Sequence, residues 1–112
     1  MFIGQTAEKV ACDFLKKQGL KLLEKNFLVK GGEIDLIMLQ KKVLVFVEMR
    51  FRADNNFGGA AASVDLKKQR RIIFAANHYL MRFKDVPECR FDCVLFEGDL
   101  KKPIWLQAAF SL

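Results

Sequence analysis

Glu33-Ile34-Asp35-Leu36-Ile37-Met38-Leu39-Gln40-Lys41-Lys42-Val43-Leu44-Val45-Phe46-Val47-Glu48-Met49-Arg50 reads as two strands joined by a lysine pair. If Lys41 and Lys42 form a two-residue hairpin turn, Gln40 pairs with Val43, and stepping back along both strands sets Asp35 opposite Glu48 and Glu33 opposite Arg50. Side-chain alternation then gathers Glu33, Asp35, Glu48, Arg50 and Arg52 on one face. The other face is apolar throughout, with Ile34, Leu36 and Met38 against Val43, Val45, Val47, Met49 and Phe51. Toward the turn the charged face becomes apolar as well, through Ile37, Leu39, Leu44 and Phe46, as expected of strands buried on both sides with acids collected at one end. Like charges directly opposite in a ladder cost up to about 1 kcal/mol. Two compensations are open: a divalent cation held by Asp35 and Glu48, or a salt-bridged strand end in which Arg50 and Arg52 neutralise them.

Upstream, apolar residues recur at Ile3, Ala7, Val10, Ala11, Phe14 and Leu15, the spacing of an amphipathic helix over residues 4–18 that Gly19 ends. Glu8 lies at the border of that stripe, either directed along the edge of the core or a solvated first-turn acid favoured by the helix dipole. Residues 20–29 read as a first strand with an irregularity near Asn26, and Gly31-Gly32 turns the chain into the acidic strand. Residues 53–62, polar then small, form a loop leaving the acid cluster, either a surface connection or a segment closing over substrate.

Ser63 is the expected N-cap, with Asp65 in the first turn, of a long helix running to about Phe83. Its apolar stripe is Leu66, Ile72, Ile73, Ala76, Tyr79, Leu80 and Phe83, while Lys67, Lys68, Arg71, His78 and Arg82 make the other side basic. That basic side is either a solvated surface or a track for phosphates. Gln69 falls inside the stripe, where its amide needs a partner in the acid cluster or the backbone. After Pro87 come strands at Cys89–Glu97 and Ile104–Phe110. Strand, helix and strand in succession imply a right-handed crossover and a parallel pair beside the acidic hairpin. The expected order is αβββαββ, an α/β sandwich around a mixed sheet of about five strands, in one domain over residues 1–112.

With 52% hydrophobic residues and eleven Phe, the 112-residue chain has ample material for one core. A net charge of +6 favours a polyanionic partner such as nucleic acid. No membrane-length apolar run and no signal-like N-terminus occur, so a cytoplasmic protein is expected. Cys12, Cys89 and Cys93 make an odd set without a disulfide framework. A zinc site from His78, Cys89 and Cys93 is disfavoured because four residues along one strand span roughly 13 Å.

The segments Gly32-Glu33-Ile34-Asp35-Leu36-Ile37, Val45-Phe46-Val47-Glu48-Met49-Arg50-Phe51-Arg52 and Arg90-Phe91-Asp92, with Gly4 and Glu8, resemble the YraN family. These are small bacterial proteins regarded as endonucleases of the PD-(D/E)xK, restriction-endonuclease-like superfamily, related to archaeal Holliday-junction resolvases. The resemblance spans nearly the whole chain and implies a restriction-endonuclease-like three-layer sandwich. It further implies a Mg²⁺- or Mn²⁺-dependent endonuclease acting on branched or structured DNA, with Asp35 and Glu48 as metal-binding acids and Glu8 completing the site. Arg50 stands where the superfamily has Lys. A guanidinium does not serve as a general base, so Arg50 would hold phosphate rather than accept a proton. Arg52, Lys67, Gln69, Arg71 and Arg82 would contact nucleic acid, and a homodimer would serve symmetric cutting of two strands. The alternative is a non-catalytic nucleic-acid-binding module that retains the nuclease fold.

Overall fold

The lysine turn sets the expected register: Gln40 pairs with Val43, Leu39 with Leu44 and Leu36 with Val47. Lys41 adopts φ 55°, supplying the positive φ that a two-residue hairpin turn requires. The computed structural model describes residues 3–52 and 64–111. Its elements are α1 (Ile3–Lys17), β1 (Lys21–Val29), β2 (Gly32–Gln40), β3 (Val43–Arg52), α2 (Leu66–Leu80), β4 (Cys89–Glu97) and β5 (Ile104–Phe110). The five strands form one mixed sheet in the order β1-β2-β3-β4-β5. Only β3 and β4 are parallel, from Leu44–Cys89 to Arg52–Glu97, and α2 lies in the connection between them.

Each helix covers one face of the sheet. Ala7, Ala11, Cys12 and Leu15 of α1 pack on Leu36, Met38, Val45, Val47, Val94 and Phe96. On the other face Ile72, Ala75, Ala76 and Tyr79 of α2 pack on Ile37, Phe46, Phe91 and Cys93. Gly19, at φ 98°, ends α1, with Leu20 N donating to Leu15 O and Gly19 N to Lys16 O. Cys12 and Cys93 are buried and Cys89 is half-buried, as structural thiols would be.

Three details depart from simple alternation. Ile34 belongs to the α2-side core, not to the α1-side row with Leu36 and Met38, because the strand loses its regular pleat at Asp35. The β1 ladder passes from Lys25–Leu36 to Phe27–Ile34 with Asn26 at φ 50°, and the β3 ladder stops at Leu36–Val47, so Asp35 is skipped by both. In α2 the cap is Asp65, whose Oδ1 accepts from Lys68 N at 2.8 Å, and the helix ends at Leu80 rather than near Phe83; Ser63 lies outside the described residues, as does the 53–62 loop. The third is Leu66, which is 66% exposed. The buried stripe of Ile72, Ala75, Ala76 and Tyr79 extends backward, at helical spacing, through Lys68 instead.

Asp92, from the Arg90-Phe91-Asp92 segment, is a structural pin. Wholly buried, it accepts from Arg90 Nε (3.0 and 3.2 Å), Trp105 Nε1 (3.0 Å) and Ala108 N (2.9 Å), bridging the irregularity where the β4–β5 register shifts. Asp92→Ala leaves the Arg90 guanidinium without its buried counter-charge. The expected loss is about 3–5 kcal/mol, read as a lower urea midpoint by circular dichroism; a midpoint within 0.5 kcal/mol-equivalent (about the scatter of a neutral surface change) would contradict this role.

Candidate active site

The break at Asp35 creates the site. Freed from both ladders, its Oδ2 accepts a 2.9 Å hydrogen bond from Met49 N, taking the place of a backbone carbonyl and tying the end of β2 to β3 beside Glu48. Glu48 projects from β3 between Phe46 and Arg50 on the α2 side and is 4% exposed. The expected opposition of Asp35 and Glu48 is realised as two neighbouring carboxyls, although not as a ladder pair. Burial, then hydrogen bonding with Asp35 and the Asp35 charge, push the Glu48 carboxyl up to about 9, while Lys68 and Arg50 pull the other way. Its Oε2 is buried and receives no hydrogen bond among the described residues.

Among the described residues, the cation paired with Glu48 comes from α2, not from the adjacent arginine. Lys68 Nζ donates to Glu33 Oε1 at 2.8 Å and stands 3.5 Å from Glu48 Oε2. Arg71 Nη2 lies 3.6 Å from the same Glu33 oxygen. The hydrogen bond from Lys68, its charge, and Arg71 together hold the Glu33 carboxyl below the usual range. Burial pulls the Lys68 ammonium down, but the Glu33 hydrogen bond and the charges of Glu48, Glu33 and Asp35 outweigh it, and the net shift is upward. Gly32 permits this convergence: a β-carbon there would collide with the Arg71 carbonyl oxygen and sit 3.0 Å from Ala75 N, so β2 enters directly against the α2 backbone.

Arg50 is exposed at the rim and exerts a weaker pull on Glu48 than Lys68 does. Arg52 closes β3, and its side chain lies outside the described residues. Glu8 is held by Asn26, whose Nδ2 donates to Glu8 Oε1 at 3.1 Å. Asn26 in turn lines a cavity of about 170 Å³ with Phe27, Leu28, Glu33, Ile34 and Asp35, which gives Asp35 an open approach from the β1 side. Glu8 is linked to the cavity lining through Asn26 and does not itself line it. Among the described residues no group of three His, Cys, Asp or Glu is arranged to ligate one ion.

The expected nucleic-acid contacts divide. Lys67 is exposed on the first turn of α2, with Arg71 one turn on. Gln69 faces inward but bonds backbone, its Nε2 donating to Val64 O at 2.9 Å, and so anchors the entry to α2. Arg82 lies past the far end of the helix, about 20 Å from Lys68 along the axis, over the Tyr79 ring at 3.8 Å and 3.7 Å from Glu24 Oε1. It belongs to the β1–α2 seam and is not gathered with the acids. Lys68 and Asn26 are what the sequence reading missed. The available signal for Lys68 was its position four residues before Ile72, on the buried stripe; nothing comparable marked Asn26 as a partner for Glu8.

The sequence model of the uncharacterised protein family UPF0102 matches residues 7–96. A UPF0102 protein of Janthinobacterium sp. (strain Marseille) is 53% identical over 108 residues, covering 96% of this chain and 86% of its own length. The UPF0102 protein of Psychromonas ingrahamii is 46% identical over 108 residues, covering 96% and 88%. That of Herminiimonas arsenicoxydans is 52% identical over 109 residues, covering 97% and 86%. The matched span contains α1 from Ala7, all of β2, β3 and α2, and thus every side chain of the cluster.

Glu48 binds its proton more tightly in the folded chain than at its ordinary value of 4.5, so stability falls as pH rises from about 4.5 toward about 9. Glu48→Gln removes that titration. In EDTA the variant is expected to exceed wild type by about 1–3 kcal/mol at pH 8, the usual cost of an imperfectly compensated buried polar group, and to converge with it near pH 4. Thermal denaturation across that range decides; a Glu48→Gln protein less stable at pH 8 would mean that the carboxylate is well compensated.

Proposed function

The chain belongs to the uncharacterised protein family UPF0102, the YraN family, and from its acid cluster and its resemblance to PD-(D/E)xK nucleases we propose that it is a metal-dependent endonuclease that hydrolyses phosphodiester bonds in branched or otherwise structured DNA. The observation that carries the reading is Glu48 Oε2, a buried carboxylate oxygen with no hydrogen bond, beside a second carboxylate that opens to a cavity. Lys68, 3.5 Å from that oxygen and hydrogen-bonded to Glu33 instead, compensates it only in part, which leaves an acceptor that a metal ion would fill.

Asp35 and Glu48 would hold Mg²⁺ or Mn²⁺. Two carboxylates, with waters and phosphate oxygens completing the shell, are the usual donor set for Mg²⁺. When bound, the ion supplies Lewis acidity to the phosphoryl oxygens and a water of lowered pKa. The protein's part is largely preorganisation. Met49 N–H restrains the Asp35 carboxylate on β3, so less side-chain freedom is lost when it takes a ligand. Glu48 must release its proton to act as a ligand, which makes binding stronger as pH rises. Glu8, hydrogen-bonded to Asn26, which lines the cavity beside Asp35, would complete the metal site through water. Lys67 and Arg71, on the first turns of α2, and Arg50 at the rim offer cations to the DNA backbone, contacts that position a duplex without reading its sequence. A homodimer would bring a second site to the opposite strand. Among the described residues no helix is long and apolar enough to cross a membrane.

The second reading, a DNA-binding module without turnover, is favoured by Arg50, which cannot act as a base and is exposed. One assay separates the two. A four-way junction, a flap, single-stranded DNA and plain duplex are incubated with wild type, Asp35→Ala and Glu48→Ala in Mg²⁺, Mn²⁺ or Ca²⁺. The nuclease reading expects cleavage in Mg²⁺ or Mn²⁺ that falls at least about 10²-fold in both variants while DNA binding by gel shift persists. Salt-sensitive binding with no cleavage in any metal supports the module, and absence of both removes DNA as the partner.

A further inference from the structure

Lys68 sits in the first turn of α2, where the helix dipole disfavours a cation. Its side chain is nonetheless drawn inward, to 25% exposure, and ends among carboxylates. Lys67, its neighbour, is exposed, so the inward course of Lys68 reflects its place on the buried stripe rather than the basic character of the turn. The two contacts of its ammonium are unequal. The hydrogen bond goes to Glu33 at 2.8 Å, outside the acid pair, whereas Glu48 Oε2 is 3.5 Å away and is not hydrogen-bonded. A cation tethered by a third carboxylate can balance the pair electrostatically without occupying its oxygens.

We propose that Lys68 is the catalytic cation of this site, delivered from α2 in place of the strand lysine for which Arg50 stands: it is the built-in counter-ion of Asp35 and Glu48 in the metal-free protein, and it remains, held by Glu33, as the ammonium that touches a phosphoryl oxygen of the DNA. Glu33 is its positioning residue. The counter-ion role stands on the contacts alone; the phosphate role rests on the nuclease reading.

The geometry implies competition. An ammonium 3.5 Å from Glu48 Oε2 repels a divalent ion arriving at the same oxygen, so removing it favours metal, while freeing it from Glu33 lets it close on Glu48 and disfavours metal. Lys68→Gln and Glu33→Gln therefore shift metal affinity in opposite directions. Charge alone gives these directions once Lys68 acts on the metal's own oxygens; a lysine that only sealed the strand end would leave Mn²⁺ affinity unchanged in Lys68→Gln and kcat unchanged at saturating metal.

The test uses the full chain and two readouts. Mn²⁺ alone is titrated without DNA at pH 8, with free Mn²⁺ followed by electron paramagnetic resonance. Lys68→Gln is expected to bind about tenfold more tightly than wild type, Glu33→Gln several-fold more weakly, and Lys68→Arg within about threefold of wild type. Cleavage of the four-way junction in saturating Mg²⁺ is then expected to fall about 10²–10³-fold in kcat for Lys68→Gln with little change in KM, and to be partly restored in Lys68→Arg. Unchanged or weaker Mn²⁺ binding in Lys68→Gln overturns the counter-ion role whatever happens to cleavage. Wild-type kcat in Lys68→Gln, with Asp35→Ala inactive, overturns the phosphate role and leaves the nuclease reading standing. If wild type cleaves nothing, the nuclease reading and the phosphate role fail together, and the Mn²⁺ titration still decides the counter-ion role. Should Lys68→Gln not fold, the Glu33→Gln titration carries the decision, with affinity at or above wild type counting against the proposal.

Discussion

The hydrogen bond from Met49 N to Asp35 Oδ2 does two jobs that a regular ladder could not do together. It satisfies a backbone donor of β3 that would otherwise be left open where the β2–β3 pairing ends, and it fixes a carboxylate with its second oxygen directed away from that bond. Everything around the site follows from the interruption. Once Asp35 leaves its pleat, Ile34 swings to the α2 side and packs with Ile72 and Ala75. Gly32 then meets the α2 backbone, a contact that only a missing side chain allows, and Glu33 comes within reach of Lys68 and Arg71. A continued ladder would have kept the acids in line on one strand face and left α2 farther away.

The burial of Glu48 is the energetic counterpart of that geometry. Its neighbours along β3 are Val47 on one face and Phe46 on the other, both fully buried, so the strand carries the carboxyl into the edge of the core whether or not it is compensated. A buried carboxyl beside a like charge costs stability unless it keeps its proton or finds a cation. Lys68 compensates in part, and the rest appears as the raised proton affinity of Glu48. On the proposed reading, that remainder is what a metal ion would compensate. Asp92 is the internal control. It is as deeply buried, yet Arg90, Trp105 and the Ala108 backbone supply donors to both its oxygens, and the atom left without a hydrogen bond there among the described residues is a donor, Arg90 Nη2, not the acid.

What was legible in the sequence is what depends on local pattern. The hairpin register, the five strands, the α1 stripe and the proximity of Asp35 to Glu48 all come from alternation and turn length over fewer than about twenty residues. The misplacements have one cause in common: they depend on how elements pack across the molecule. Leu66 looks like the start of a core stripe until the azimuth of α2 on the sheet is known, and that azimuth is set by Gly32 against Arg71 and Ala75. The same rotation decides that Lys68, not Lys67, turns inward. Asp65 and Ser63 are equivalent as caps by residue type, and only the position of the first turn separates them. The Asn26 contact to Glu8 joins α1 to an irregularity in β1 across 18 positions, which no local period encodes.

The two halves of the site also differ in what they tolerate. The acids are borne on the central strands, where displacement would tear a ladder, whereas their counter-charges come from the first two turns of α2, where Gly32 of the sheet meets the helix backbone at Arg71 and Ala75. On the proposed reading, in which the site exchanges its counter-ion for a metal and then takes a polyanion, rigid acids with adjustable cations are the sensible division. The acids set where charge is needed to within a hydrogen-bond length, and long lysine and arginine side chains can swing between a carboxylate and a phosphate with no movement of the backbone. Arg50 on β3 is placed differently: it leaves the strand at the exposed rim, whereas Lys68 lies inside, 3.5 Å from Glu48 Oε2.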